Sequence, residues 1–394
     1  MTLRTLTSLR VLELTHAVLG PACGLVLADL GAQVIRIEPP SGDPTRALKG
    51  FGTGYYPFFN RNKQSLALNI KTEAGRQVLF RLLEKTDVLI ENFAPGTMER
   101  LELGFENLAP RYPRLIYCSL KGFLPGPYEN RLALDEVVQM MSGLAYMTGP
   151  VGQPLRAGAS VIDVMTGMMG ALAVLAALRE RDSNGRGQLV QTSLFETAAF
   201  LMGHHMAYAA LTGQPVPPMP ARISAWAIYH TFTTAENEQV FIGVTSDKQW
   251  ERFCEVFHRP DWRTDERLAT NNGRIEQREW LLPQVAEMIR QHSTAHILAK
   301  CQAAELPFSP VARPENLFND PQLSQSGSLL QTTLPNGETA PLPRLPILLG
   351  SEGVTLHLHP PHIGQHSREI LRQAGLENQH IEDLICQNIV AAQD

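Results

Sequence analysis

Strand-like and helix-like segments alternate through the N-terminal half of this 394-residue chain. Arg10–Leu14 reads as a strand, Pro21–Leu30 as a helix with Pro in its first turn and Gly31 past its end, and Gln33–Ile37 as the next strand. Ser65–Leu68, the amphipathic helix Thr72–Lys85, the strands Asp87–Glu91 and Leu115–Ser119, and the strand Leu189–Ser193 before a long helix Leu194–Leu211 continue the pattern. Alternation of this kind predicts an α/β fold, a parallel sheet covered by helices. The texture changes at the Pro-rich stretch Gly213–Ala221. Beyond it the sequence predicts a hairpin around Ala235–Asn237 and helices over Asp247–Phe257, Arg274–Gln291 (started or kinked by Pro283) and Thr294–Ala304. A second hairpin, Leu329–Pro341, turns at Pro335-Asn336-Gly337, and helices Ser367–Ala374 and His380–Gln387 return to the first domain. The expected division is a large Rossmann-like domain, 1–212 completed by 319–394, and a smaller α+β domain, 213–318.

One carboxylate stands out. Asp163 lies among glycines, alanines and aliphatics, with no basic residue between Arg156 and Arg179. Desolvating a lone carboxylate is costly, so few are left in apolar surroundings. The run Val161–Leu178 reads as a helix apolar nearly all round, which puts Asp163 in its first turn, where free N–H groups and the helix dipole can hold an anion. Residue chemistry alone leaves two readings open: an ordinary helix-start aspartate, or a nucleophile.

Composition narrows the classes. The net charge is −5 and Phe, Trp and Tyr make up 7%, with no dense basic patch, so neither nucleic acid nor membrane is an expected partner. The N-terminus enters a strand-like run, so no signal peptide is expected, and Val161–Leu178 is expected to be a core helix rather than a span. Five cysteines without a C-x-x-C pair fit free thiols in a cytoplasmic protein. No metal site is expected: the histidines of 357–366 have no Cys or carboxylate close by, and His204 and His205 should face apart on their helix.

Small or polar residues collect in loops at the carboxyl ends of the strands, in His16–Pro21, Glu38–Pro40, Asn92–Gly96 and Lys121–Phe123. Ligands of open α/β sheets bind on that edge. Neither G-x-G-x-x-G nor G-x-x-x-x-G-K-[ST] occurs, which argues against dinucleotide binding and P-loop hydrolysis.

These loops, with T-H-A-V-L-G-P-A (15–22), G-A-Q-V-I-R-I-E-P-P (31–40), G-D-P-T-R (42–46), N-R-N-K-Q-S-L-A-L-N (60–69), E-N-F-A-P-G-T-M-E-R-L (91–101), P-R-L-I-Y-C-S-L-K-G-F (113–123), S-G-L-A-Y-M-T-G (142–149), G-R-G-Q-L-V-Q-T-S-L-F-E-T-A (185–198) and P-H-I-G-Q-H-S-R-E-I-L (361–371), closely resemble the family III CoA-transferases, typified by formyl-CoA:oxalate and carnitine CoA-transferases. The resemblance implies that Asp163 is the catalytic nucleophile, attacking an acyl-CoA thioester to give a mixed anhydride and then an aspartyl-CoA thioester. Glycines near Asp163 would present backbone N–H donors to the oxyanion. It places CoA binding on Asn92, Phe93, Arg100 and Lys121 and a second active-site acid on Asp135, whose alternative is an N-cap before Glu136–Met141. It also implies an interlocked homodimer and no cofactor, the CoA thioester being the substrate.

Three departures bear on the acceptor. Formyl-CoA transferases have tryptophan at the position of Leu48, glutamine at that of Val18, and a glycine-run loop in the second domain that has no counterpart here, all pointing away from oxalate. Short dicarboxylates with succinyl-CoA as donor are expected instead, with Arg46, Arg156 or Arg222 clamping a distal carboxylate. The related α-methylacyl-CoA racemases place His–Asp where this chain has Leu134-Asp135. A racemase needs an acid and a base on opposite faces of the α-carbon, and leucine is neither. A non-catalytic acyl-CoA-binding protein is the other alternative, and an intact Asp163 speaks against it.

Overall fold

A computed structural model describes residues 5–221 and 224–393, so Arg222 falls outside the described residues. The chain divides into two compact units, Met1–Pro220 with Pro321–Asp394, and Ala221–Asp320. The Pro-rich stretch therefore belongs almost wholly to the larger unit.

In the larger unit seven strands make one sheet: β1 (Arg10–Leu14), β2 (Gln33–Glu38), β3 (Lys63–Leu68), β4 (Val88–Glu91), β5 (Ile116–Lys121), β6 (Leu189–Ser193) and β7 (Val390–Ala391). Their order is β7-β3-β2-β1-β4-β5-β6. All neighbours are parallel except β7, which runs antiparallel to β3. Strands β1 to β6 thus follow the doubly wound order, and the direction of winding reverses between β1 and β4, opening a crevice at their carboxyl ends.

Both faces are covered. Helix α1 (Leu19–Asp29) and the later α4 (Val161–Asn184) pack Cys23, Leu27, Ala171 and Val174 against Val11, Ile90, Ile116 and Cys118. On the opposite face α2 (Glu73–Leu83) and the C-terminal helices bury Val78, Leu79, Leu82, Ile370, Leu371 and Leu384 against Leu12, Ile35, Leu66 and Leu89. Each such side chain taken fully out of water contributes about 1.5–3 kcal/mol. Two glycines set how closely α4 approaches α1 and β5. A Cβ at Gly167 would lie 2.7 Å from the Leu19 carbonyl oxygen, and one at Gly170 would lie 2.7 Å from Leu120 Cδ2. Gly167 and Gly170 thus serve close packing. Helix α4 is apolar and long enough to cross a membrane by length and composition, yet it lies against the sheet. It runs on to Asn184, held by an Arg181–Asp87 ion pair (2.9 Å) and closed by Gly185 at φ 74°.

Several segments depart from expectation. The stretch expected as one helix over Leu194–Leu211 is α5 (Leu194–Leu201) and α6 (Gly203–Thr212), preceded in the chain by α3 (Asp135–Met141) and α4. Gly203 weakens the helix at the join, and Met202 serves as the C-cap of α5. The His204 and His205 rings do not face apart: in the first turn of α6 their centroids are 3.8 Å apart. In the smaller unit, Arg274–Gln291 divides into Asn271–Glu276 and Arg278–Arg290, broken at Gln277 rather than at Pro283, which sits inside the second helix. That unit carries a three-stranded antiparallel sheet and a core of Trp250, Phe253, Trp262, Leu281 and Ile289.

Candidate active site

At the winding reversal the loops after β1 and β4 are stitched together. Asn92 accepts the His16 N–H through Oδ1 and donates to the His16 carbonyl through Nδ2, both at 3.0 Å. The His16 ring stacks on Phe93, centroids 5.8 Å apart. Burial foremost holds His16 below its usual titration range, so it is a neutral wall near pH 7. Ala17 takes a left-handed conformation (φ 59°), tied down by its N–H bond to Thr45 Oγ1 (3.1 Å).

Beneath these loops lies a buried charge network. Glu13 on β1 faces Arg36 on β2 (3.0 Å) and Lys63 on β3 (2.7 Å), while Arg36 also reaches Asp43 and the Thr15 carbonyl oxygen (3.2 Å). Lys63 donates to the Pro21 carbonyl at 2.9 Å, and burial lowers its pKa to about 8. The network grips both ends of the Thr15–Pro21 segment.

Asp163 stands in the first turn of α4 beside a cavity of about 410 Å³, whose walls include Val18, Leu19, Tyr55, Asn92, Phe93, Lys121, Leu134, Asp135, Arg156 and Ser160. Among the described residues its carboxylate has neither hydrogen-bond nor ion-pair partner. Burial, and then the like charge of Asp135, raise its pKa to about 7. The expectation that the helix end would hold this charge therefore fails. Asp135 takes that place: its Oδ2 accepts the Ile162 and Asp163 N–H groups at 2.8 and 3.0 Å, and its Oδ1 is held by Gln139 Nε2. Asp135 is the first residue of α3 with Leu134 as the N-cap, so it caps not its own helix but α4.

Of the expected CoA contacts, Asn92, Phe93 and Lys121 line the cavity. Lys121 is already paired with Glu91 (2.7 Å) and bonded to the Phe93 carbonyl (2.8 Å), an arrangement invisible until β4 and β5 lie side by side. Arg100 is not on these walls. It is exposed and bonds Thr97 Oγ1 (2.9 Å), and Thr97 lines a second cavity of about 730 Å³ at the carboxyl ends of β1, β2 and β3. His16 and Phe93 border both cavities. Arg46 is bound by Glu38 (2.6 Å), lies over the Tyr56 ring and is not among the wall residues of the cavity beside Asp163. Arg156 remains on the cavity wall, paired with the exposed Glu136 at 2.9 Å. Sequence reasoning gave no role to Tyr55, Ser160 or Arg131, all wall residues; Tyr55 and Ser160 hydroxyls stand 3.4 Å apart. The histidines of 357–366 act locally, His359 and His366 accepting the Thr333 and Ser65 N–H groups.

The sequence model of CoA-transferase family III matches residues 6–367. The chain is 30% identical over 381 residues to the succinate–glutarate CoA-transferase of Agrobacterium fabrum, covering 93% of this chain and 95% of that one. It is 35% identical over 332 residues to an acetyl-CoA:oxalate CoA-transferase of Acetobacter aceti, covering 82% of this chain and 85% of its relative. Among solved structures it is similar to a CaiB/BaiF family protein from Brucella suis, with a TM-score of 0.86 and 30% identity over 94% of this chain and 99% of that one. With the family model and a solved member of the fold both spanning nearly its whole length, the chain belongs to CoA-transferase family III.

Proposed function

We propose that the enzyme moves CoA from a short acyl-CoA, succinyl-CoA foremost, to a small carboxylic or dicarboxylic acid, with Asp163 as covalent carrier. One observation carries the reading: an unpartnered, half-buried carboxylate at a helix start, beside a cavity at the winding reversal of the sheet. An Asp163 oxygen attacks the thioester carbonyl, expelling CoA thiolate and leaving an aspartyl anhydride. The thiolate attacks the aspartyl carbonyl, releasing the donor acid and forming an aspartyl-CoA thioester. The acceptor carboxylate then expels the thiolate, which takes the acceptor acyl group from the new anhydride and restores Asp163. Each step exchanges one activated acyl bond for another, the anhydride carbonyl being more reactive than the thioester carbonyl. The first turn of α1 has no side-chain cap, and its N–H groups beside Val18 and Leu19 are the donors offered to the oxyanion.

The larger cavity suits the nucleotide end of CoA, with Arg100 and Lys71 near its rim for phosphates; no cofactor is needed beyond this substrate. An exposed pair such as Arg156–Glu136 is weak, so Arg156 can exchange Glu136 for the distal carboxylate of a dicarboxylic acid. The named activities of the relatives, on succinate, glutarate and oxalate, support that substrate class. We place the enzyme in the cytoplasm as an interlocked homodimer; exposed apolar side chains such as Leu172, Phe200, Met206 and Leu211 support an interface between copies of the chain.

Purified enzyme incubated with succinyl-, acetyl- or formyl-CoA and a panel of acids is expected to give acceptor-dependent CoA exchange, fastest with succinyl-CoA and short dicarboxylates. Thioester hydrolysis without transfer would reject the proposal. Because Asp163 attacks as the carboxylate, kcat/KM for the donor should rise with pH through a midpoint near 7, and a midpoint near 4 would contradict the electrostatics of the site. A racemase remains the second reading because its motifs overlap. Leu134 is 70% exposed at the cavity and offers no base. In deuterated water a single epimer of a 2-methylacyl-CoA should take up no deuterium at its α-carbon; rapid uptake without acceptor acid would favour the racemase.

A further inference from the structure

We infer that Asp135, tied by Gln139, is a positioning residue for Asp163: it occupies the anion site at the start of α4 and so leaves the Asp163 carboxylate unpartnered in the cavity. The inference rests on Asp163 being the nucleophile.

Two N–H groups in the first turn of α4, those of Ile162 and of Asp163 itself, are taken by Asp135 Oδ2 at 2.8 and 3.0 Å. Ser160, the N-cap of α4, makes no side-chain cap bond, so Asp135 supplies the cap from another helix. Gln139 completes the link. Its Nε2 donates to Asp135 Oδ1 while its Oε1 accepts the Ala157 N–H at 2.8 Å. The chain on both sides of Ser160 is thereby fixed to α3 through two buried side chains.

A carboxylate that accepts several N–H bonds becomes a weak base and a weak nucleophile. By filling those bonds, Asp135 keeps Asp163 reactive, and its charge opposes ionisation of its neighbour. The other polar or charged groups on the cavity walls do little to offset this. His16 is neutral, the Tyr55 hydroxyl stands by Ser160, Lys121 and Arg156 are paired with Glu91 and Glu136, and Arg131 lies against the Tyr128 ring.

The test compares wild type with Asp135→Asn and Gln139→Met in the full-length enzyme. Formation of the Asp163–CoA adduct is followed by mass spectrometry in single turnovers across pH 5–9, alongside steady-state kinetics and thermal melts. Asp135→Asn removes the charge, so the acid limb of adduct formation should move about one pH unit lower while kcat at pH 8 falls roughly tenfold and the donor KM stays within about twofold. Gln139→Met keeps the charge but frees the tether, so kcat should fall several-fold with the acid limb in place. A lower melting temperature with an unchanged pH profile and kcat in Asp135→Asn would make Asp135 a structural cap only and overturn the inference. If Asp135→Asn does not fold, Gln139→Met decides alone: an unchanged kcat overturns it. Absence of an Asp163 adduct in wild type overturns the nucleophile assignment and this inference with it; an adduct whose pH dependence ignores Asp135 overturns the inference alone.

Discussion

Asp163→Ala is expected to lower CoA transfer at least about 10³-fold, because the proposed covalent route disappears with the carboxylate assigned to carry the acyl and CoA halves in turn. Alanine favours helix and leaves the Asp135 cap intact, since that cap holds backbone N–H groups and not the Asp163 side chain. The variant should therefore fold and still bind acyl-CoA. Its stability carries an independent signature. Folded Asp163 keeps its proton up to about pH 7, whereas an ordinary aspartate loses it near 3.8. The folded state binds the proton more tightly, so ionisation of Asp163 costs stability, fully by pH 8 and with little of that cost present at pH 4. Asp163→Ala should be more stable than wild type at pH 8, by about 1–3 kcal/mol, and lose that advantage on acidification. The measurements are transfer activity, denaturation at pH 8 and pH 4, and mass spectrometry of enzyme trapped with hydroxylamine. Activity above a few per cent of wild type, or a label on another carboxylate, would remove Asp163 from the mechanism.

The sheet is legible in the sequence because its strands are short apolar runs with helical segments between them, and sheets buried on both faces need that pattern. Asp163 is legible for the complementary reason: one charge among small apolar residues has no local explanation. What sequence reasoning misses depends on residues brought together from far apart. Glu13 and Arg36 each read as a polar residue in a strand and Lys63 lies just ahead of one, and only the register, with Glu13 opposite Arg36, makes them one network. Lys121 shows its charge in the sequence but not Glu91, its partner on the neighbouring strand. Asp135 caps a helix that starts well downstream, and no capping pattern reaches across that separation. The break at Met202 is a different kind of miss. There the apolar residues carry on through Gly203, and hydrophobic content alone does not show where a helix is interrupted.

Arg36→Met is expected to destabilise the larger unit by about 3–5 kcal/mol, the usual consequence of removing one partner from a buried ionic cluster. The side chain is fully buried and bonds Glu13, Asn60, Asp43 and the Thr15 carbonyl. Methionine fills much of the volume, so the cost comes from the polar groups left behind rather than from a cavity. Glu13 would keep only Lys63 and Thr15 as partners, and Asp43 would keep backbone N–H contact at Thr45 (2.7 Å) without its counter-charge. Arg36→Lys should recover only part of the loss, since an ammonium cannot reproduce the guanidinium fork spanning Glu13 and Asp43. Function should follow. With Thr15 released, the His16–Val18 wall loosens and the donor KM should rise more than kcat falls. All four tryptophans lie within Ala221–Asp320, so intrinsic fluorescence reports on the smaller unit and can miss the change. Hydrogen exchange of peptides covering β1, β2 and β3, in urea, is the appropriate readout. A loss below about 1 kcal/mol in those peptides would mean that water replaces the guanidinium at little cost, and that the network does not hold the Thr15–Pro21 segment in place.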